Sequence, residues 1–374
     1  MPASIAERDA LVDEVATILH GTLDARRAEL AAIAPEAARL VDVLRAYLAD
    51  GKMLRPLFCC AGGAAVHEPS PAERERLCAL GAAIELVQAA ALLHDDVIDH
   101  SETRRGRPAV HVSEADEHRR LGLAGDPVEH GEAVAIVLGD LALTWSDQLA
   151  AEALAGAPDP ASRAAARAQF DLLRTEVMTG QYLDVLHQAG GFASHSDPEE
   201  AALAVVRWKT VPYTVLRPLL LGAASLGAGD ALLGDLSRYA EAVGEGFQLR
   251  DDLLGVLGDE AATGKSASSD IREGKRTVLL ARTSAAADAA GRALLADVVG
   301  RADASDAEVE EVRALMVSTG AAATVAQRIT EDAAAASAVL QGSEHIDPAA
   351  LPALAALART ATDLSGIAGL DARA

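Results

Sequence analysis

Two acidic clusters on helix-like stretches define the chemistry open to this chain: His94-Asp95-Asp96-Val97-Ile98-Asp99 and Gln248-Leu249-Arg250-Asp251-Asp252. Each crowds carboxylates into about one helical turn, where like charges three and four residues apart repel. Each follows a largely apolar run, Leu86 to Leu93 and Val243 to Leu249, so the carboxylates should sit at the mouth of a buried space. Acids gathered there need a cation, and hard oxygen ligands with room for water suit Mg²⁺. Two such clusters on facing helices would hold several Mg²⁺ ions, enough to bind a diphosphate between them.

Cations stand beside the acids. Glu102-Thr103-Arg104-Arg105-Gly106-Arg107-Pro108 places an arginine pair shortly after Asp99. Guanidinium forks suit diphosphate oxygens; the plain alternative is that they neutralise the aspartates. Gly51-Lys52-Met53-Leu54-Arg55-Pro56 sets Lys52 and Arg55 one turn apart at the start of an apolar helix, an anion site if the helix N-terminus adds its dipole. Gln88 interrupts an apolar stretch two turns before Asp95 and, if buried, needs a partner, either a phosphate group or the backbone. Lys209 and Thr210 precede Pro212 and Tyr213 on another apolar helix, which Pro212 should kink or open near Lys209. Gln248 lies one turn before Asp251 and Asp252, and the loop after them carries Lys265, Arg272, Lys275 and Arg276. Taken singly, Lys265 and Lys275 read as ordinary solvated charges.

The elements that must position these groups are helical. Periodicity predicts helices over 4–20, 35–50, 71–100, 131–154, 161–188, 198–226, 232–257, 278–301, 305–319, 321–340 and 348–368, with Ser305 as an N-cap. No alternating strand pattern or hairpin turn is visible, so the fold class is all-α. Three long polar breaks, 101–130, 187–198 and 258–277, interrupt the helices, and two of them directly follow the acidic clusters, as functional loops do. No composition shift marks a linker. The 374 residues read as a single large helical domain, a bundle around a central apolar cavity.

Composition narrows the function. Hydrophobic residues make up 50% of the chain and aromatics only 3%, so Ala, Leu and Val build the core and favour helix. A formal net charge of −23 argues against a nucleic-acid partner, which needs a basic footprint. Cys59, Cys60 and Cys78 lack C-x-x-C spacing, and the adjacent Cys59 and Cys60, in an apolar stretch, read as buried free thiols of a reducing cytoplasm. Neither a signal peptide nor an uninterrupted apolar run of membrane-spanning length is apparent, so a cytoplasmic location without a membrane span is expected.

Taken in order, G-K-M-L-R-P at 51–56, H-D-D-V-I-D at 94–99, R-R-G-R-P at 104–108, K-T-V-P-Y at 209–213 and F-Q-L-R-D-D-L-L-G-V-L-G-D at 247–259 resemble the motifs of the trans-polyprenyl diphosphate synthases, nearest to those that make geranylgeranyl diphosphate. The resemblance implies the helical isoprenoid synthase fold, a homodimer and Mg²⁺-dependent condensation of isopentenyl diphosphate with an allylic diphosphate. By it, Asp95, Asp96, Asp99, Asp251 and Asp252 would hold three Mg²⁺ on the allylic diphosphate. Arg104, Lys209, Thr210, Gln248 and Lys265 match positions around that diphosphate. Lys52, Arg55, Arg105 and Gln88 match those that hold isopentenyl diphosphate, with Phe247 beside its chain. The second acidic motif departs from the family at Gly255, where the fifth position is usually Asp, and Asp259 is too far along to replace it.

Product length should follow from the helix before Asp95. Ala90 and Ala91 stand five and four residues ahead of it, where short-chain members carry bulky aromatics. Two alanines leave the tunnel open to a C20 product, with Val87, Ile84, Trp145 or Leu141 as deeper floors; the alternative is that they are small for helix packing. Farnesyl or longer polyprenyl products remain the alternatives. A terpene cyclase needs no isopentenyl site and shapes its cavity with aromatics, and a non-catalytic synthase subunit should have lost more of the aspartates than Gly255.

Overall fold

The computed structural model describes residues 5–49, 51, 53–192, 194–195, 197–258 and 269–367. Its helices are α1 (Ile5–Ile33), α2 (Ala38–Leu48), α3 (Leu54–Ala64), α4 (Pro71–Ile98), α5 (Val110–Leu121), α6 (Pro127–Ala155), α7 (Pro160–Gln188), α8 (Pro198–Val205), α9 (Arg217–Ser225), α10 (Asp230–Leu257), α11 (Ser269–Arg272), α12 (Val278–Ala286), α13 (Ala289–Val298), α14 (Asp306–Ser318), α15 (Ala321–Gly342) and α16 (Leu351–Ala361). The all-α reading holds, but the break expected over 101–130 is not all loop, since it includes helix α5. The polar break after Asp99 contains a two-stranded ribbon, β1 (Thr103–Arg104) paired antiparallel with β2 (Arg107–Pro108). Its turn residues Arg105 and Gly106 have φ of 54° and 72°, the pair of positive angles that a tight hairpin turn requires. Two-residue strands are too short to show a period of two, which is why the sequence hides them.

Local signals explain most boundaries. Ser70 and Glu73 form a reciprocal capping box ahead of α4, and Pro71 takes the first helical position. Ser305 caps α14 as expected, in a second capping box with Glu308. The expected helix over 278–301 breaks at Asp288, whose side chain caps α13 by accepting from Gly291 N at 2.8 Å. α1 runs further than predicted, to Ile33. The end of the predicted last helix, Ala368, lies outside the described residues. Around Pro212 the helix widens into π turns over Val206–Thr210 and Pro212–Leu216. That is the opening a proline without an N–H forces.

The chain forms two compact units. The first comprises Met1–Thr175, Tyr213–Ser237 and Ser343–Leu357. Here α4 is the central helix, buried without interruption from Leu80 to Ala90. Against it pack α1, α3 and α6. α3 and α9 touch backbone to backbone: a Cβ on Gly62 would meet Leu219 O at 1.9 Å, and one on Gly222 would meet Cys59 O at 1.8 Å. Replacing Gly222 by Ala must push the helices apart, and overpacking of this kind costs roughly 3 kcal/mol. A fall in melting temperature of several degrees is expected; an unchanged thermal transition would contradict this packing. Cys59, Cys60 and Cys78 are free and buried in the same layer.

The second unit comprises Glu176–Pro212, Arg238–Gly342 and Ala358–Ala374. Its core gathers Leu249, Leu253 and Val256 of α10 with Ile271, Leu279, Val298, Val312, Val325 and Ile329. Two helices, α4 and α6, are long and apolar enough to cross a membrane by length and composition. In α4 that apolar window is 78% buried inside the protein, as in the core helix of a globular fold.

Candidate active site

The first aspartate set closes the C-terminal end of α4, with Asp99 as the C-cap residue. A helix C-terminus carries partial negative charge, so acids there are destabilising unless a cation compensates them. Arg104 does so: Asp96 Oδ1 accepts from its Nε at 2.8 Å and also from its Nη2, while Asp95 Oδ2 lies 3.9 Å from Nη2. The hairpin turn at Arg105-Gly106 folds this arginine back onto the helix. Asp96 is only 1% exposed. Burial raises its pKa, against which the Arg104 hydrogen bond and charge act, while Asp95 adds to the rise. Burial works against the charge on Arg104 too, but Asp96 more than offsets it and the guanidinium is held firmly protonated. His94 anchors the segment to α6, where Gly139 leaves room for its ring and Ile136 O lies 3.2 Å from Nε2.

In the same unit stand the groups expected to hold a second diphosphate. Arg55, at the start of α3, stacks over the Tyr213 ring at 4.2 Å and donates from Nη2 to Thr214 Oγ1 at 2.9 Å, and its buried Nε has no partner among the described residues. Arg105 donates to Tyr47 O at 3.3 Å and lies over that ring at 5.9 Å. Gln88 is buried, and its Oε1 has no hydrogen-bond partner; with the amide turned over, the same position offers a donor. Glu85, one turn earlier on α4, is a buried carboxylate whose pKa burial raises, against the charges of Arg55 and Arg105. Lys52 lies outside the described residues. Tyr47, Glu85, Tyr213 as a stacking partner and Thr214 were not foreseen as members of this group.

The second set belongs to the second unit and is tied into a chain of hydrogen bonds. Thr210 Oγ1 donates to Gln248 Oε1 at 2.6 Å, and Gln248 Nε2 donates to Asp252 Oδ1 at 2.7 Å. Burial pushes the Asp252 carboxyl well up; Gln248 opposes this, while the charges of Asp270 and Asp251 add to it and Lys275 acts against it. Lys209 donates to Asp184 Oδ2 at 2.6 Å. Gly180 brings α7 this close, because a Cβ there would meet Lys209 Cα at 2.4 Å. Asp184 was missed in the sequence, where an isolated acid on an amphipathic helix looks solvated. Lys275, read as a solvated charge, instead pairs with Asp270 and Glu273, each at 3.0 Å. Phe247 is partly buried. Lys265 and Asp259 lie outside the described residues.

Among the described residues, no group of three or more His, Cys, Asp or Glu side chains stands ready to hold a metal as it is. The donors nevertheless fit a hard cation. Both sets are all-carboxylate, as Mg²⁺ requires, and Asp96 Oδ2 is buried with no partner, an acceptor whose desolvation a cation would compensate. On the stretch of α4 before the aspartates, Ala90, Val87 and Ile84 are fully buried, whereas Ala91 is partly exposed. Trp145 on α6 is buried and Leu141 partly so.

Known proteins resemble this chain over most of its length. The family model for polyprenyl synthetases matches residues 37–316. A geranylgeranyl diphosphate synthase of Saccharolobus solfataricus is 30% identical over 268 residues, 71% of this chain and 72% of its own. A (2E,6E)-farnesyl diphosphate synthase of Mycobacterium tuberculosis is 32% identical over 274 residues, 71% of this chain and 67% of its own. A geranylgeranyl pyrophosphate synthase from Corynebacterium glutamicum, solved with isoprenyl diphosphate and magnesium, is 36% identical with a TM-score of 0.88, covering 95% of this chain and 99% of its own.

Proposed function

This chain belongs to the polyprenyl synthetase family and is a trans-prenyltransferase, and we propose that it condenses isopentenyl diphosphate head to tail with an allylic diphosphate to give geranylgeranyl diphosphate. The observation that carries the reading is the pairing of buried Asp96 with Arg104 beside Asp95, an acid–base cluster suited to a metal-bound diphosphate rather than to a solvated helix end. By the family resemblance, Asp95, Asp96, Asp99, Asp251 and Asp252 are the residues that would hold magnesium, three ions in all. When bound there, magnesium would supply electrostatic stabilisation of the negative charge that grows on the leaving diphosphate.

The chain's own residues do the rest. Arg104, Lys209 and Lys265 donate to the allylic diphosphate, with Thr210 and Gln248 setting the orientation of Asp252. The bond from allylic C1 to the diphosphate oxygen breaks, and the leaving group keeps the electron pair. Lys52, Arg55, Gln88 and Arg105 hold isopentenyl diphosphate, with Phe247 beside its chain, so that its double bond attacks C1. The released diphosphate takes the proton lost from the new cation, leaving a product five carbons longer. No covalent nucleophile is needed. Asp184 supports Lys209 before substrate arrives. We place the enzyme in the cytoplasm, in keeping with its free buried cysteines, and take it to be a homodimer on the family resemblance alone.

Arg55 should depend on Thr214. Thr214→Val removes the hydroxyl that accepts from it, and the lost hydrogen bond to a charged group is worth about 1.5–3 kcal/mol. The KM for isopentenyl diphosphate should rise roughly tenfold with the allylic KM unchanged; an equal rise in both would refute this division of labour.

Chain length is tested with purified protein, Mg²⁺, isopentenyl diphosphate and C5, C10 or C15 primers, followed by chromatography of the dephosphorylated products. A C20 alcohol from all three supports the reading. Arrest at C15, or a ladder beyond C20, would replace it with a farnesyl or longer-chain synthase.

A further inference from the structure

The second aspartate set reads Asp251-Asp252-Leu253-Leu254-Gly255, with glycine where the related five-residue pattern usually ends in aspartate. The space beside that glycine is not open. A Cβ on Gly255 would lie 2.1 Å from Oδ2 and 3.0 Å from Cγ of Asp270, well inside van der Waals contact. Asp270 thus lays its carboxylate against the bare backbone of α10, one turn past Asp251.

Its placement is built rather than incidental. The turn carrying Asp270 is pinned on several sides: Lys275 N donates to Asp270 O at 3.0 Å and Gly300 N to Ile271 O at 2.9 Å. Arg272 adds Nε to Ala304 O at 3.0 Å and Nη2 to Asp306 Oδ1 at 2.7 Å. The carboxylate itself accepts from Lys275 Nζ at 3.0 Å and is only 11% exposed. To make room for any side chain at 255 it would have to swing away from Lys275. Its charge also reaches Asp252, where it opposes ionisation alongside Asp251.

We infer that Asp270 supplies, from the turn after α10, the carboxylate that the helix lacks at position 255, and that 255 is glycine because Asp270 fills the space. The apparent loss of an acid is then a relocation. This inference rests on the reading of Asp251 and Asp252 as magnesium–diphosphate ligands. It assigns Asp270 to the second set in three dimensions, in place of a residue four positions along the helix.

The test is calorimetric titration of the full-length protein with inorganic pyrophosphate in the presence of Mg²⁺, which reads binding without turnover. Asp270→Asn is close to isosteric and keeps an oxygen for Lys275, so its fold should survive; circular dichroism checks this. Binding should weaken about tenfold, the scale seen when a group supporting a metal site is removed. Gly255→Ala adds only a methyl group and should weaken binding to a similar extent by displacing Asp270. The exchange Gly255→Asp with Asp270→Gly should restore affinity to within about threefold of the native protein, which a purely structural role for Asp270 would not allow. Native affinity in either single variant, or no recovery in the exchange, overturns the inference. Asp251→Asn is the control. If it too binds as tightly as the native protein, the magnesium reading of the second set is wrong; if it weakens while Asp270→Asn does not, only the relocation is wrong.

Discussion

Asp95→Asn should lower kcat for condensation by about 10³-fold while leaving the fold intact, since a single preorganised group at a developing charge is worth that much. The choice of Asp95 over Asp96 follows from their surroundings. Asp96 is buried and carries the main pairing to Arg104, so its removal would leave a partly buried guanidinium without its main partner and confound catalysis with stability. Asp95 is 16% exposed at the side chain and lies 3.9 Å from Arg104, so its loss should cost little in melting temperature. The measurement is the initial rate with a C15 primer and saturating isopentenyl diphosphate, beside a thermal melt. A rate within tenfold of native at an unchanged melting temperature would remove Asp95 from the metal set.

Ala91→Phe should shorten the product by one or two isoprene units, moving the dominant alcohol from C20 to C15 or C10. Ala91 differs from its neighbour: Ala90 is fully buried, whereas Ala91 keeps some exposure, so a larger side chain at 91 has somewhere to go. A phenyl ring inserted there adds bulk one helical turn before Asp95, where the growing chain must pass if the product extends along α4. The same ring at Ala90 should instead overpack the core, at about 1–3 kcal/mol. Paired product profiles and melting curves of the two variants separate floor from packing. A C20 product from a stable Ala91→Phe protein would contradict the chain-length assignment.

How much was legible depended on the kind of signal. α4 was readable from its apolar periodicity and α14 because Ser305 announces it, while the Ser70 capping box ahead of α4 emerges only in the structure. The opening near Lys209 was readable because Pro212 removes a donor, and π turns flank that proline. The ribbon at Thr103–Pro108 was not, since its only cue is a positive-φ pair at Arg105-Gly106 that composition does not reveal. Within the candidate site, clustered acids and motif-borne cations stood out. Asp184, Glu85 and Thr214 did not, because each acts on groups distant in sequence from a helix whose pattern looks ordinary. Asp270 was hidden most thoroughly: its meaning depends on the room left by Gly255, which only the folded backbone discloses.

The most direct test of the central claim is incubation of the protein with radiolabelled isopentenyl diphosphate and a C15 allylic diphosphate, first stripped of metal with EDTA and then with Mg²⁺ restored. No incorporation is expected without the ion, and label should appear in a linear C20 diphosphate once it returns. Consumption of the C15 diphosphate without incorporation of label, giving a cyclic hydrocarbon, or full incorporation in the presence of EDTA, would contradict it.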